Sequence, residues 1–263
     1  MRFSKWHGLG NDYLLVERAE LGFPLEPELV RRLCDHHLGV GSDGVLEVVT
    51  ADDAQADVAI WNPDGSTAEL SGNGTRIAAR WLARRLGADE VVITVGPREV
   101  VARMRAGLEV EMDMGPVEVE PVEELDVDGA RIDFTPVSVG NPHAVIRRDP
   151  ERADLLRLGP LVENHPRFPG RTNVQLVRVD SPSETTVAVW ERGAGETLSS
   201  GTSAVAVAAA AVANGWCESP ITVHLAGGDL LVALDESFHA RLTGPAQEIC
   251  TGEISQELLD EVR

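Results

Sequence analysis

Between Ala204 and Ala213 the chain is unbroken alanine and valine, inside the stretch "ETLSSGTSAVAVAAAAVANG" (Glu196 to Gly215). A helix that is apolar on every face has to be buried among other elements. Its opening residues, Ser199, Ser200, Gly201 and Thr202, pack poorly and instead expose hydroxyls and backbone amides. A second helix, "TRIAARWLARRLG", opens in the same way after Ser71 and Gly72. Short alternating segments elsewhere predict strands, and acidic amphipathic helices are expected near Glu26 to His37 and near Pro150 to Val162. The last residues, "SQELLDEVR", predict a helical tail that packs back on one half.

These elements recur. "VAIWNPDGSTAELSGNGT" (Val58 to Thr75) lines up with "VAVWERGAGETLSSGT" (Val187 to Thr202). Each has a strand ending in tryptophan, Trp61 or Trp190, then the serine–glycine pair and a helix. At the same offset "GVGSDGVLEVV" falls on "FPGRTNVQLVR", and with a slip of one residue "GLGNDYLLVE" falls on "SVGNPHAVIR", setting Asn11 against Asn141. Several matches in one order at one offset imply a duplicated domain. The expected division is residues 1–116 and 117–249, with the linker near "MGPVEVEP" and the tail, 250–263, returning to the first domain.

Composition narrows the chemistry. The 263 residues are 43% hydrophobic and 25% charged, which is globular usage. A net charge of −20 argues against a nucleic-acid partner, since phosphate binding depends on clustered Lys and Arg. The longest apolar run is too short to span a bilayer, no stretch has the form of a signal peptide, and the expected location is the cytoplasm. Three cysteines without metal-like spacing fit a reducing compartment. Lys5 is the only lysine. It lies in a strand-like stretch, "RFSKWHG", which speaks against pyridoxal phosphate, and no Gly-Lys pair exists for a P-loop. "GVGSDG" matches a dinucleotide fingerprint in letters, but a strand-like segment follows where a helix is required.

Free amides at a helix N-terminus carry partial positive charge and bind anions, carboxylates included. Two such ends, related by duplication, suggest Ser71 and Ser200 facing each other across one carboxylate ligand; taken singly, each serine reads as an ordinary N-cap. Asn11, Asn62, Asn73, Asn141 and Asn173 cluster around the same loops, as does the pair Glu191 and Arg192, suited to an amino acid's ammonium and carboxylate or else a surface ion pair. His143 is the histidine expected nearest the chemistry, whereas His36 and His37 are expected at the surface. No spacing suggests a metal.

Through "HGLGNDY", "GVGSDG", "NPDGSTAELSGNGTR", "VGNPHAV", "RTNVQLV" and "ERGAGETLSSGT" the chain resembles the diaminopimelate epimerase family over nearly its whole length. The resemblance implies an α/β (α+β) fold of two pseudo-symmetric domains. Each is a curved, mostly antiparallel sheet around a central apolar helix, with the active site in the cleft between them. It implies epimerisation of LL- and meso-diaminopimelate at the α-carbon without cofactor or metal, and a homodimer. The acid–base positions carry onto Ser71 and Ser200, with His143 and Glu191 beside them. Substrate contacts carry onto Asn11, Asn62, Gly72, Asn73, Asn141, Asn173, Glu191, Arg192, Gly201 and Thr202. The family uses cysteines at both acid–base positions, and here both are serine. A thiol ionises near about 8.5 and less at a helix start, whereas a serine hydroxyl is a far weaker acid.

Slow epimerisation is the leading expectation. The alternatives are an isomerase or dehydratase of the same fold using Glu191 or His143 as base, an amino-acid-binding protein that has lost catalysis, and a chain whose cysteines were exchanged to trap ligand. A serine hydrolase is more distant, because Glu69 and Leu198 stand where its nucleophile elbow needs glycine.

Overall fold

The computed structural model describes residues 1–68 and 71–261, so Glu69 and the last two residues of the tail lie outside it. The chain forms two compact units, Met1–Met112 with Gly244–Arg263, and Asp113–Thr243.

In the first unit, β1 (Arg2–Gly8) and β2 (Asn11–Glu17) form a hairpin, and α1 (Pro27–Cys34) crosses to β3 (Val45–Asp52), parallel to β2. β4 (Gln55–Trp61) returns antiparallel to β3, and β5 (Thr67–Ala68) folds back on it. Then α2 (Gly72–Leu86) leads to β6 (Glu90–Val95), parallel to β4, and to β7 (Arg98–Met104) and β8 (Glu109–Pro116). The first amphipathic helix is shorter than its sequence pattern. The Asp35 carboxylate accepts hydrogen bonds from the amides of His37 and Leu38 at 2.8 and 2.7 Å, a turn that ends the helix and leaves both histidines exposed beyond it.

The second unit repeats the plan. β9 (Glu118–Val119) and β10 (Glu123–Val127) lead to β11 (Ala130–Ser138), which pairs antiparallel with β12 (Pro142–Arg147). A crossover through α3 (Arg152–Glu163) reaches β13 (Asn173–Ser181), parallel to β12. β14 (Glu184–Glu191), β15 (Gly195–Thr197), α4 (Gly201–Ala213), β16 (Ile221–Leu225), β17 (Gly228–Leu234) and β18 (His239–Pro245) follow, with β16 parallel to β14. The registers also repeat: Val45 faces Trp61 as Val174 faces Trp190, and Trp61 faces Thr67 as Trp190 faces Glu196.

The return to the first unit begins at Gly244, ahead of the residue 250 expected. The cause is β19 (Gln247–Glu253), which pairs with β1, after which α5 (Gln256–Glu261) places Leu259 in a core with Leu14, Val16, Leu29 and Leu33.

Each central helix is enclosed by its own strands. α2 packs on β1 to β4, β6 and β7 through Ile77, Ala78, Ala79, Leu82 and Ala83. α4 packs on β11 to β14, β16 and β17, and its residues from Ser203 to Ala211 are all buried. Side chains no larger than valine let strands approach α4 from every side, which answers its uniformly apolar sequence. The amphipathic α3 covers the outer face of the second sheet. Gly159 is forced there, because a Cβ would lie 2.6 Å from the Trp190 ring.

Candidate active site

Ser71 and Ser200 occupy the N-cap positions of α2 and α4 with nearly the same backbone, φ −136° and −142° with ψ 118° in both. Their side chains differ in what they do. Ser71 Oγ accepts a hydrogen bond from the Gly74 amide at 3.0 Å and shares another with the Tyr13 hydroxyl at 3.0 Å. Ser200 makes no capping bond through its side chain; its hydroxyl lies beside the Glu191 carboxyl and lowers that group's proton affinity. The side-chain N-cap bond is therefore made by Ser71 and not by Ser200.

Around Ser71 the polar groups form a chain. Arg76, wholly buried, donates from Nη2 to Asn73 Oδ1 at 2.8 Å and from Nε to the Pro245 carbonyl at 3.1 Å. Asn73 Nδ2 donates to Asn11 Oδ1 at 3.1 Å, and Asn11 Nδ2 donates to Asp43 Oδ2 at 3.0 Å. A guanidinium can only donate and a carboxylate can only accept, so the two ends fix which way both amides point. Burial lowers the Arg76 guanidinium to about 10, partly opposed by the charge of Glu109. Gly72 is buried in the first turn of α2. Asn62 stands apart from this chain, in a turn where its Nδ2 donates to Ser66 Oγ at 2.9 Å.

Around Ser200 a different network appears. Glu191 ends β14, and burial pushes its carboxyl above the usual carboxylate range while the Ser200 hydroxyl pulls it back. The neighbouring Arg192 is exposed, donating from Nη1 to the Gly170 carbonyl at 3.3 Å. Arg192 lies in the turn that follows β14, and among the described residues it makes no ion pair with Glu191. Asn173 accepts from the Arg192 amide at 3.0 Å and donates to the Pro142 carbonyl at 2.9 Å. Gly201 and Thr202 open α4, the glycine buried and the threonine half-buried.

His143 is buried in β12, its Nε2 3.0 Å from Asn141 Oδ1 and its Nδ1 3.0 Å from Gln175 Nε2. Gln175 Nε2 also donates to Ser203 Oγ at 2.9 Å. An amide oxygen on one side and an amide nitrogen on the other select the neutral tautomer with its proton on Nε2. Burial, and then the positive charge of Arg192, push the imidazole down to about 3. So weak a base is ill matched to proton abstraction near neutrality, and Glu191 is the better matched group.

The structure thus brings together Asn11, Ser71, Gly72 and Asn73 in the first unit. In the second it joins Asn141 with His143, Asn173 with Arg192, and Glu191 with Ser200. Sequence reasoning passed over Tyr13, Asp43, Arg76, Gln175 and Ser203. For Tyr13 a signal existed: it follows Asn11 by two residues as His143 follows Asn141. Among the described residues no group of three or more His, Cys, Asp or Glu could hold a metal ion, and no helix is long and apolar enough to cross a membrane.

The family model for diaminopimelate epimerase matches residues 3–120 and 135–249. The chain belongs to that family. It is 40% identical to a diaminopimelate epimerase of Desulfitobacterium hafniense, with 98% of this chain and 100% of that protein aligned. It is likewise 40% identical to one of Pelotomaculum thermopropionicum, covering 96% and 98% of the two. By family it is an isomerase of the epimerase type. Solved structures of the same fold include a probable proline racemase of Agrobacterium radiobacter, at TM-score 0.72 and 17% identity over 97% of this chain and 93% of that one. Another is a hydroxyproline epimerase of Agrobacterium vitis, at TM-score 0.71 and 18% identity over 96% and 91%. At such identities the likeness extends to the fold, and it bears out two α/β halves of the diaminopimelate epimerase type.

None of the chain's three thiols lies at the start of α2 or α4. Cys34 ends α1 and Cys217 follows α4, both buried, while Cys250 lies exposed on β19. Burial raises the first two further from ionisation.

Proposed function

We propose that this chain interconverts LL- and meso-2,6-diaminopimelate by moving the α-proton, as a slow member of its family serving lysine and peptidoglycan precursor synthesis. The observation that carries this reading is the full-length relation to diaminopimelate epimerases, at an identity that spans both halves. The substrate α-carboxylate is taken by the free amides at Gly72, Gly201 and Thr202, where helix ends favour anions. Asn11, Asn62, Asn73, Asn141, Asn173, Glu191 and Arg192 hold the remaining polar groups. Ser71 and Ser200 occupy the acid–base positions, and Glu191, joined to Ser200 and carrying a raised affinity for protons, takes the proton that a thiolate would take.

No pyridoxal phosphate takes part in this reading. Lys5, the only lysine, has its Nζ 2.7 Å from Asp12 Oδ2 and donates to the Gly41 carbonyl at 2.7 Å, so it is engaged within its own unit. The enzyme works in the cytoplasm as a homodimer, with no metal and no nucleic-acid or membrane partner.

The test is proton exchange at the α-carbon, followed by NMR with LL- or meso-diaminopimelate in deuterium oxide. Enzyme-dependent wash-in of deuterium together with interconversion of the two isomers supports the reading. Tight binding with no exchange above background leaves a binding protein and overturns it.

A further inference from the structure

The hydroxyl of Tyr13, the only tyrosine in the chain, lies 3.0 Å from Oγ of Ser71. Its ring is 7% exposed and confined from one side by the chain itself. A Cβ on Gly44 would come within 2.7 Å of ring carbon Cε1 and 2.5 Å of the Trp61 carbonyl oxygen. Strand pairing sets Tyr13 opposite Trp6, and the next residue, Leu14, donates its amide to the Gly44 carbonyl at 3.1 Å. The phenol is therefore delivered to the serine by a rigid hairpin.

We infer that Tyr13 is the proton partner of Ser71, an inference that rests on the epimerase reading above. A serine oxygen carries one proton and two lone pairs. The Gly74 amide occupies one lone pair, at 3.0 Å. When the phenol donates to the other, the serine's own proton is left to be given away. Ser71 then protonates the substrate carbanion: its O–H bond breaks, a C–H bond forms, and the phenol proton moves to Oγ. The carbon's electron pair becomes the C–H bond, the pair of the broken phenol O–H bond stays on the phenolate, and the negative charge moves there from carbon. In the reverse direction Oγ takes the α-proton while its own proton passes to the phenolate. No further reactant is needed. The serine never has to exist as a free alkoxide, because the charge rests on a phenol, a class of acid that ionises near about 10. The second unit has no counterpart of this pair: His143 stands at the matching place but is engaged with Asn141 and Gln175, and Ser200 meets Glu191 instead.

The experiment is α-proton exchange of diaminopimelate in deuterium oxide, comparing the native chain, Tyr13→Phe, Ser71→Cys and the double variant. Tyr13→Phe keeps the ring and removes only the hydroxyl, and exchange is expected to slow by about thirtyfold or more, within the range of general acid–base catalysis. In the Ser71→Cys background the same change is expected to cost less than about threefold, since a thiolate at a helix start carries its own charge. Growth on a fluorinated tyrosine gives a second reading that needs no substitution. It makes position 13 alone more acidic, and exchange at neutral pH should change with the acidity of the phenol. A packing role would leave that rate unmoved. Equal losses in both backgrounds, a Tyr13→Phe rate within about twofold of native, or indifference to fluorination overturns the relay while leaving the epimerase standing. A native chain that exchanges nothing overturns both.

Discussion

The two helix starts share backbone torsions, register and a serine, yet the groups beneath them have diverged position by position. At the offset that takes Ser71 to Ser200, Leu46 becomes Gln175 and Gly74 becomes Ser203. In the first unit a Cβ on Gly74 would meet the Leu46 side chain at 2.9 Å, so that contact is apolar and close. In the second, the same two places hold an amide and a hydroxyl 2.9 Å apart, and the amide also faces His143. Conversely, Arg76 and Asn73 anchor the first unit's polar chain, whereas Val205 and Thr202 stand at their places in the second. Asn62, tied into a turn, becomes Glu191, which reaches Ser200. Duplication preserved the backbone that offers helix amides to an anion. The side chain beside each serine differs, a phenol in one unit and a carboxyl in the other.

Restoring what both units lack should have the largest effect. Converting Ser71 and Ser200 together to Cys is expected to speed α-proton exchange about a thousandfold or more, with each single change giving a smaller gain. No gain in the exchange assay would mean that the surrounding groups have drifted as well.

Next in size is Glu191→Gln, expected to slow exchange by about a hundredfold. Its effect on stability should be opposite. A carboxyl whose folded-state affinity for protons is raised costs nothing below its unfolded value, and destabilises as pH climbs through the raised one. Urea midpoints measured from pH 4 to 8 should therefore show the variant gaining on the native chain toward higher pH.

His143 has the reverse sign. Its folded value is pushed down to about 3, so the folded state binds fewer protons than the unfolded one below the ordinary imidazole value. Stability should fall by about 1.4 kcal/mol for each pH unit of acidification below about 6.5. His143→Gln should remove that slope in the same urea series. His143 sits in the second unit, so the acid sensitivity should first loosen that unit, as hydrogen exchange resolved by residue would show.

Arg76→Met leaves Asn73 Oδ1 and the Pro245 carbonyl without their donors and is expected to cost about 2 kcal/mol, read from denaturant midpoints. The smallest effect is expected from the pair Gln175→Leu and Ser203→Gly, which gives the second unit the first unit's residues. It should slow exchange by about tenfold through a freed His143, while changing stability by less than about 1.5 kcal/mol.

What the amino-acid order determined by itself is what short-range rules carry. The all-apolar run required burial, the serine–glycine pairs marked helix starts, and the recurrence of Trp, Ser and Gly at one offset announced the duplication. Those features are written in residues a few places apart, where periodicity and turn chemistry operate. Only the tertiary structure decided which polar groups meet. Tyr13 and Ser71, far apart in the chain, are hydrogen-bonded, and Glu191 is brought beside Ser200. Asn62 bonds to Ser66, and Arg192 reaches back to the Gly170 carbonyl. The same holds for protonation: burial pushes the His143 imidazole down to about 3, because the cost of charging it depends on what surrounds it and not on which residues flank it.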